Sequence, residues 1–436
     1  MSSARQIITY EQLHSLWLRW QAMSPRPPLD RWLKQHAAGW RRHQGEPMPM
    51  AVSDAMIQAV RYMQLACALE AVQRQGANID WMTWDDTWQP DDSDQLSRNN
   101  FWYWIHQRCE GRWRVPQDWN SGSRKQCFID FQERAMSNPL SPEWMLWHGL
   151  RPQWLPLLQQ RAERSRWSDM DLQRFVEQQS ARPPLWLRIN TNESPETILP
   201  QLLDAGIQAD IRNGTLCAQG GNGLQQSEPY KAGKVEIQDL ASQQLSNMVA
   251  ARKGDKVWDC CAGAGGKTLA IASRMEQKGV VVATDLHQFK LDELKRRAKR
   301  ASYLNIRTFT WDAEAPLRLP AEVARQQGFD WVLIDAPCTA SGTWRRNADA
   351  RWRFDASDSA EMEALQQKIL NNACAAVRKG GHMVYATCSW QLSENEEAVA
   401  TFLANHPEFT LESQQMVGAP QQDADCMFVA KMTRMA

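Results

Sequence analysis

The chain has 436 residues, 43% of them hydrophobic, with 50 Lys and Arg against 50 Asp and Glu and a formal net charge of zero. That length accommodates two or three domains of ordinary globular composition. A neutral chain excludes adhesion of the whole molecule to nucleic acid, so any nucleic-acid-binding face has to be a local patch. No run of about 18 apolar residues occurs, so no membrane-spanning helix is expected. The start, MSSARQIITYEQLHSLW, does not read as a signal peptide. The ten Cys are scattered, without CxxC pairs or zinc spacing. No metal site is therefore expected, and free thiols in a reducing cytoplasm are.

In chain order, residues 1–140 read as a helical domain. Ile57, Val60, Met63, Leu65, Ala68 and Val72 recur at helical spacing. Of the 22 Trp, 16 precede residue 191, in segments such as WMTWDDTWQPDD. They read as core and inter-helix packing rather than as base-stacking platforms. Residues 141–240 read as a small α+β linker domain. There Pro183 and Pro184 rigidly precede a strand over 185–190, and VEIQDLASQQL is a strand followed by a helix. Residues 241–436 form the third block, where strands and helices alternate. Its candidate strands are VWDCC, VVVATD, IRTFTWD, WVLIDAP, HMVYATC and MFVAKM. Helices are expected after Lys267, Gln288 and Ser357 and near Ser393, where Ser393 and Glu396 have capping-box spacing. The near-continuous apolar runs fit a mostly parallel, doubly wound sheet covered on both faces.

VWDCC leads into AGAGGKT and an apolar helix. Gly263, Gly265 and Gly266 let the backbone approach a ligand, and the helix start at Lys267 offers free amides. The spacing is not that of a phosphate loop. Asp285 ends the second strand, placed to accept from two ribose hydroxyls, and Asp312 ends the third. To this point a dinucleotide and S-adenosylmethionine suit the pattern equally. The fourth strand carries Asp335, Pro337 and Cys338 to the carboxyl edge of the sheet, and the fifth carries Thr387, Cys388 and Ser389 to the same edge. Two thiols at one edge suit attack on a pyrimidine. Carbon 5 of cytosine becomes nucleophilic only after a thiolate adds to carbon 6, helped by an acid at ring nitrogen 3. Asp335 is the candidate acid, provided that it holds a proton.

Asp335-Ala336-Pro337-Cys338 together with Thr387-Cys388-Ser389 resembles the NOL/NOP/Sun (Fmu-type) family of RNA cytosine-5 methyltransferases. The resemblance extends over residues 141–432 through SPEW, PPLWLRIN, VEIQDLASQ, DCCAGAGGKT, GTWRRNADARW and YATCSWQLSENE. It implies a class I methyltransferase fold with S-adenosylmethionine as cofactor. It implies Cys388 as nucleophile, Cys338 as the thiol that assists release, and Asp335 as catalytic acid. Lys267 is then expected to reach the target base. The cofactor is expected on Cys261, Ala262, Gly263, Ala264, Gly265, Gly266 and Lys267, with Asp285, Asp312 and Asp335. The helical N-terminus followed by a linker looks like the bacterial 16S rRNA enzymes, whose first domain resembles the antitermination factor NusB. Two departures stand out: Gly263-Ala264-Gly265-Gly266 replaces the usual Ala-Pro-Gly-Gly, and Ala348 follows Arg345-Arg346-Asn347 where Pro is usual.

Arg345, Arg346, Arg351 and Arg353 follow Cys338 closely. Arg345, Arg346 and Arg351, with Arg188, are the expected RNA contacts. The run Lys290, Lys295, Arg296, Arg297, Lys299 and Arg300, offset by Asp292 and Glu293, reads as a solvated helix face. The expected partner is 16S rRNA, naked or in an early particle, and the chain is expected to be a monomer. A tRNA substrate, or an inactive RNA-binding or assembly factor on the same fold, remains the alternative.

Overall fold

The structure, a computed structural model, describes residues 8–44, 47–111, 113–115, 122–190, 193–353 and 356–435. The chain divides into two compact units: Met1–Arg182 with Trp344–Arg353, and Pro183–Thr343 with Phe354–Ala436. The main boundary between these two units falls at residue 182. Residues 141–182 are helical, and Trp144 and Trp154 are buried within the first unit. Trp186, by contrast, joins the apolar cluster of the second unit with Leu240 and Val257.

The first unit is built around the helix Met50–Gln75, which contains the expected periodic stretch. Ala55, Met56, Ala59, Val60, Met63 and Leu69 are all buried, so apolar residues surround this helix rather than forming one stripe. Trp102, Trp104 and Trp144 are fully buried, in accord with packing. Buried charges are paired: Glu70 accepts from Trp104 Nε1 (3.1 Å) and Arg124 (3.0 Å), and Asp85 from Gln64 Nε2 (2.6 Å) and Arg151 Nε (2.8 Å).

Two of the expected RNA contacts lie inside this unit. Arg345 is 2% exposed and Arg351 0%. Arg345 Nε donates to the Ala181 carbonyl (3.2 Å), while Arg351 donates to the carbonyls of Trp344 (3.0 Å) and Gly149. Burial holds the Arg351 guanidinium down at about 9. These side chains satisfy backbone carbonyls, which withdraws them from the phosphate contact expected of them. Arg346 is partly exposed.

In the second unit, β1 (Leu185–Ile189), β2 (Ala209–Arg212), β3 (Thr215–Ala218) and β4 (Val235–Ile237) form an antiparallel sheet in the order β2-β3-β1-β4. Arg188 on β1 is 8% exposed and donates to Gln238 Oε1 (2.6 Å). Burial lowers its pKa to about 10, so it too turns away from the surface. Arg297 and Arg300 are held by Glu236 on β4, which corrects the solvated-face reading for those two.

The remaining strands are β5 (Lys256–Asp259), β6 (Val280–Asp285), β7 (Ile306–Thr310), β8 (Phe329–Asp335), β9 (Val377–Thr387), β10 (Phe409–Gly418) and β11 (Cys426–Arg434). Among the described residues they form a seven-stranded sheet, ordered β10-β11-β9-β8-β5-β6-β7. The pairs β5/β6, β5/β8, β6/β7 and β8/β9 are parallel, and β11 runs antiparallel to both β9 and β10. All six residues of β6 are buried, as a strand covered on both faces requires. The order reverses at β5, so loops after β5 and β8 open a crevice at the carboxyl edge. The edge strand β10 was not expected, because FTLESQQMVG carries polar residues at exposed positions. The expected capping box is absent. The last helix begins at Glu396 after Asn395, whose side chain bonds Thr387 Oγ1 (2.5 Å) and the Ser389 carbonyl (2.9 Å).

Candidate active site

The loop leaving β5 is clamped to its neighbours: Cys260 N donates to Leu333 O (2.9 Å) and Ala262 N to Thr284 O (2.8 Å). Gly263 and Gly265 have φ of +54° and +88°, a region that side chains disfavour. A Cβ at Gly265 would lie 2.5 Å from Leu294 Cγ, whereas one at Gly263 would meet nothing within 4 Å. Gly265 is thus needed for packing against the helix Gln288–Arg300, while Gly263 faces open space. The helix Gly266–Arg274 starts there and presents its first-turn amides.

Asp285 stands beside this cradle. Its Oδ2 accepts from Gly263 N (3.0 Å) and its Oδ1 from His287 N (2.9 Å), which fixes the carboxylate at the mouth of the loop. Asp312 is exposed just beyond β7, with Oδ1 accepting from Glu314 N (3.0 Å). An open glycine turn, free helix amides and an oriented carboxylate fit an adenosyl cofactor. Asp259, beneath the loop, is 0% exposed and accepts from Thr268 Oγ1 (2.6 Å). Burial pushes its carboxyl up to about 7.

β8 and β9 bring the reactive groups together. Lys267 Nζ lies 2.6 Å from Asp335 Oδ2. Burial opposes the Lys267 charge, but Asp335, aided by Asp259 and Cys388, outweighs it and raises the Lys267 pKa. In this pair Lys267 Nζ donates and Asp335 Oδ2 accepts. Cys338 Sγ and Cys388 Sγ are 3.3 Å apart, and both thiols are free. The Cys338 thiol is held well above its ordinary range, first by its hydrogen bond to Cys388 and then by burial.

Behind the sulfurs lies a buried polar network that local sequence signals do not mark. Ser341 Oγ and Ser389 Oγ are 2.9 Å apart, Trp390 N donates to Ser341 Oγ (3.0 Å), and Gly342 N donates to Cys388 O (2.9 Å). Glu394, 0% exposed, accepts from Thr339 N (2.8 Å). Its position in SENE marks it only as one acid among several beside a helix start.

Residues 246–433 match the 16S rRNA methyltransferase RsmB/F family. A ribosomal RNA small subunit methyltransferase B of Yersinia pseudotuberculosis is 30% identical over 322 residues, 70% of each chain, and one of Yersinia pestis matches equally. The solved structure of PH0851 superposes with a TM-score of 0.63 at 23% identity, covering 89% of this chain and 99% of that one. NSun6 from Pyrococcus horikoshii, solved with SFG, gives 0.54 at 17% identity, covering 64% and 98%. These two are likenesses of fold, and the fold is that of class I methyltransferases. With the adenosyl cradle and the shared sequence together, the chain belongs to the 16S rRNA methyltransferase RsmB/F family and uses S-adenosylmethionine as its cofactor.

Proposed function

We propose that this protein methylates carbon 5 of a cytosine in small-subunit ribosomal RNA through a transient bond between Cys388 Sγ and carbon 6 of the base. The observation that carries the reading is the 3.3 Å approach of the Cys338 and Cys388 sulfurs. The Lys267–Asp335 pair at the same edge supports it. Ribosomal RNA as the substrate rests on the relatives, which are named for the small ribosomal subunit. An RNA substrate and ten free thiols suit a cytoplasmic site of action.

Residues 261–267, with Asp285 and Asp312, would hold the cofactor. The bound cofactor supplies an electrophilic methyl group on a sulfonium. The target base is unstacked from the RNA to reach the crevice. Cys388 loses its thiol proton to solvent, the thiolate adds to carbon 6, and the electron pair of the carbon 5–carbon 6 double bond shifts to carbon 5. Lys267 donates to ring nitrogen 3 and offsets the developing charge, while Asp335 accepts from the exocyclic amine. Carbon 5 then takes the methyl group and carries both hydrogen and methyl. In release, the bond between Cys388 and carbon 6 breaks. Cys338 gives its proton to the departing Cys388 sulfur and takes the carbon 5 proton in exchange. The double bond re-forms, and both thiols are restored.

RNA containing 5-fluorocytosine tests this, because fluorine at carbon 5 blocks the proton loss that frees the enzyme. With S-adenosylmethionine present, a covalent complex is expected with the native protein and not with Cys388→Ala. Cys338→Ala is expected to accumulate a complex on ordinary RNA. A complex that persists in Cys388→Ala would overturn the assignment.

A further inference from the structure

Glu394 takes no part in the steps above, yet it is fully buried, and its oxygens accept four hydrogen bonds from neutral donors. Thr339 N donates at 2.8 Å and Thr339 Oγ1 at 2.6 Å; Gln391 Nε2 and Gln366 Nε2 each donate at 3.1 Å. Gln366 Nε2 also donates to Pro337 O (3.0 Å), and Gln391 Nε2 to Thr339 Oγ1 (2.8 Å). The Tyr385 hydroxyl fixes the Glu394 backbone through its carbonyl (2.7 Å). The residues on both sides of Cys338 are therefore tied to one carboxylate and the two amides around it. Burying a carboxylate among neutral donors costs free energy that an amide would not. Each oxygen accepts two of the four bonds, a count that a carboxylate meets and a glutamine amide, with one accepting oxygen, does not.

We infer that Glu394 is a positioning residue for the release step, holding Pro337–Cys338–Thr339 so that Cys338 Sγ stays within 3.3 Å of Cys388 Sγ. The inference rests on the cysteine roles proposed above. The Glu394 carboxylate also adds to the groups that hold the Cys338 thiol above its ordinary range. Cys388 is left to attack, and Cys338 is left with the proton it hands over.

The test uses the full chain, S-adenosylmethionine and ordinary substrate RNA, with Glu394→Gln, Glu394→Ala and Thr339→Val. Thr339→Val removes the hydroxyl that donates to Glu394 and accepts from Gln391 Nε2, and keeps the test open should a Glu394 variant fail to fold. Single-turnover methyl transfer is expected to stay within about threefold of native, while steady-state turnover falls about tenfold to hundredfold, as for a displaced acid–base group. The covalent complex should accumulate towards the level of Cys338→Ala, and less so in Thr339→Val. In Glu394→Gln the pH profile of release should move to lower pH, because Cys338 then loses its proton more easily. A merely structural residue would leave that profile in place. Equal loss of methyl transfer and release, or an unmoved pH profile, would overturn the inference. If Cys338→Ala itself accumulates nothing, the cysteine roles are wrong and the inference falls with them, a result distinguishable from failure of Glu394 alone.

Discussion

Replacing Gly265 with Ala puts a methyl group 2.5 Å from Leu294 Cγ and 3.0 Å from Leu294 Cδ1, on a backbone at φ +88°. The left-handed backbone costs an L side chain about 1–2 kcal/mol. Leu294 is 0% exposed and packed with Leu269 and Val281, so it cannot swing aside, and overpacking adds about 1–3 kcal/mol. The catalytic unit should therefore lose about 2–5 kcal/mol in Gly265→Ala. Leu294→Ala alone costs about 2–5 kcal/mol through its cavity. In the double variant that cavity receives the new methyl, so the two costs should fall short of additive by about 1–3 kcal/mol. Hydrogen exchange of the β6 amides measures the stability of this unit separately from the helical one. Gly263→Ala is the control: with nothing within 4 Å of its Cβ and φ +54°, it should cost only the backbone strain of about 1–2 kcal/mol. Its affinity for S-adenosylmethionine should drop nonetheless, since the methyl stands on the open side of the loop. Additive costs, or a Gly263→Ala as unstable as Gly265→Ala, would refute the division of labour between the two glycines.

The buried Asp259 carboxyl, raised by burial from 3.8 to about 7, favours the protonated fold, so its contribution is fully present below about pH 4 and is lost as pH rises through about 7. Asp259→Asn, which can still accept from Thr268, should flatten that pH dependence by at most about 4 kcal/mol between pH 4 and 8. Identical pH slopes of β5 hydrogen exchange in the two proteins would count against it. Arg351→Met leaves the carbonyls of Trp344 and Gly149 without their donor, and each unmade bond costs about 1–3 kcal/mol, partly offset by relief of a buried cation. It should lower the melting temperature of the helical unit and leave the salt slope of RNA binding unchanged; a slope reduced by about one would restore Arg351 to phosphate contact.

Local sequence determined much of the catalytic half. Runs such as VVVATD fit strands covered on both faces, and glycines between a strand and an apolar helix fit a close turn with free amides. The order of strands then places Asp285, Asp335 and Cys388 at one edge, because parallel strands joined by helices all present the same end.

Tertiary structure decided what no short segment encodes. An arginine that caps buried carbonyls reads the same as one that meets solvent, so Arg345, Arg351 and Arg188 looked like RNA contacts until their burial was seen. The same holds for Glu394, whose four donors come from residues 339, 366 and 391, and for Asn395, which displaced the capping box by bonding across to β9. Periodicity reports which face of an element is apolar; which polar group is buried, and against whom, is set by distant parts of the chain that meet only on folding.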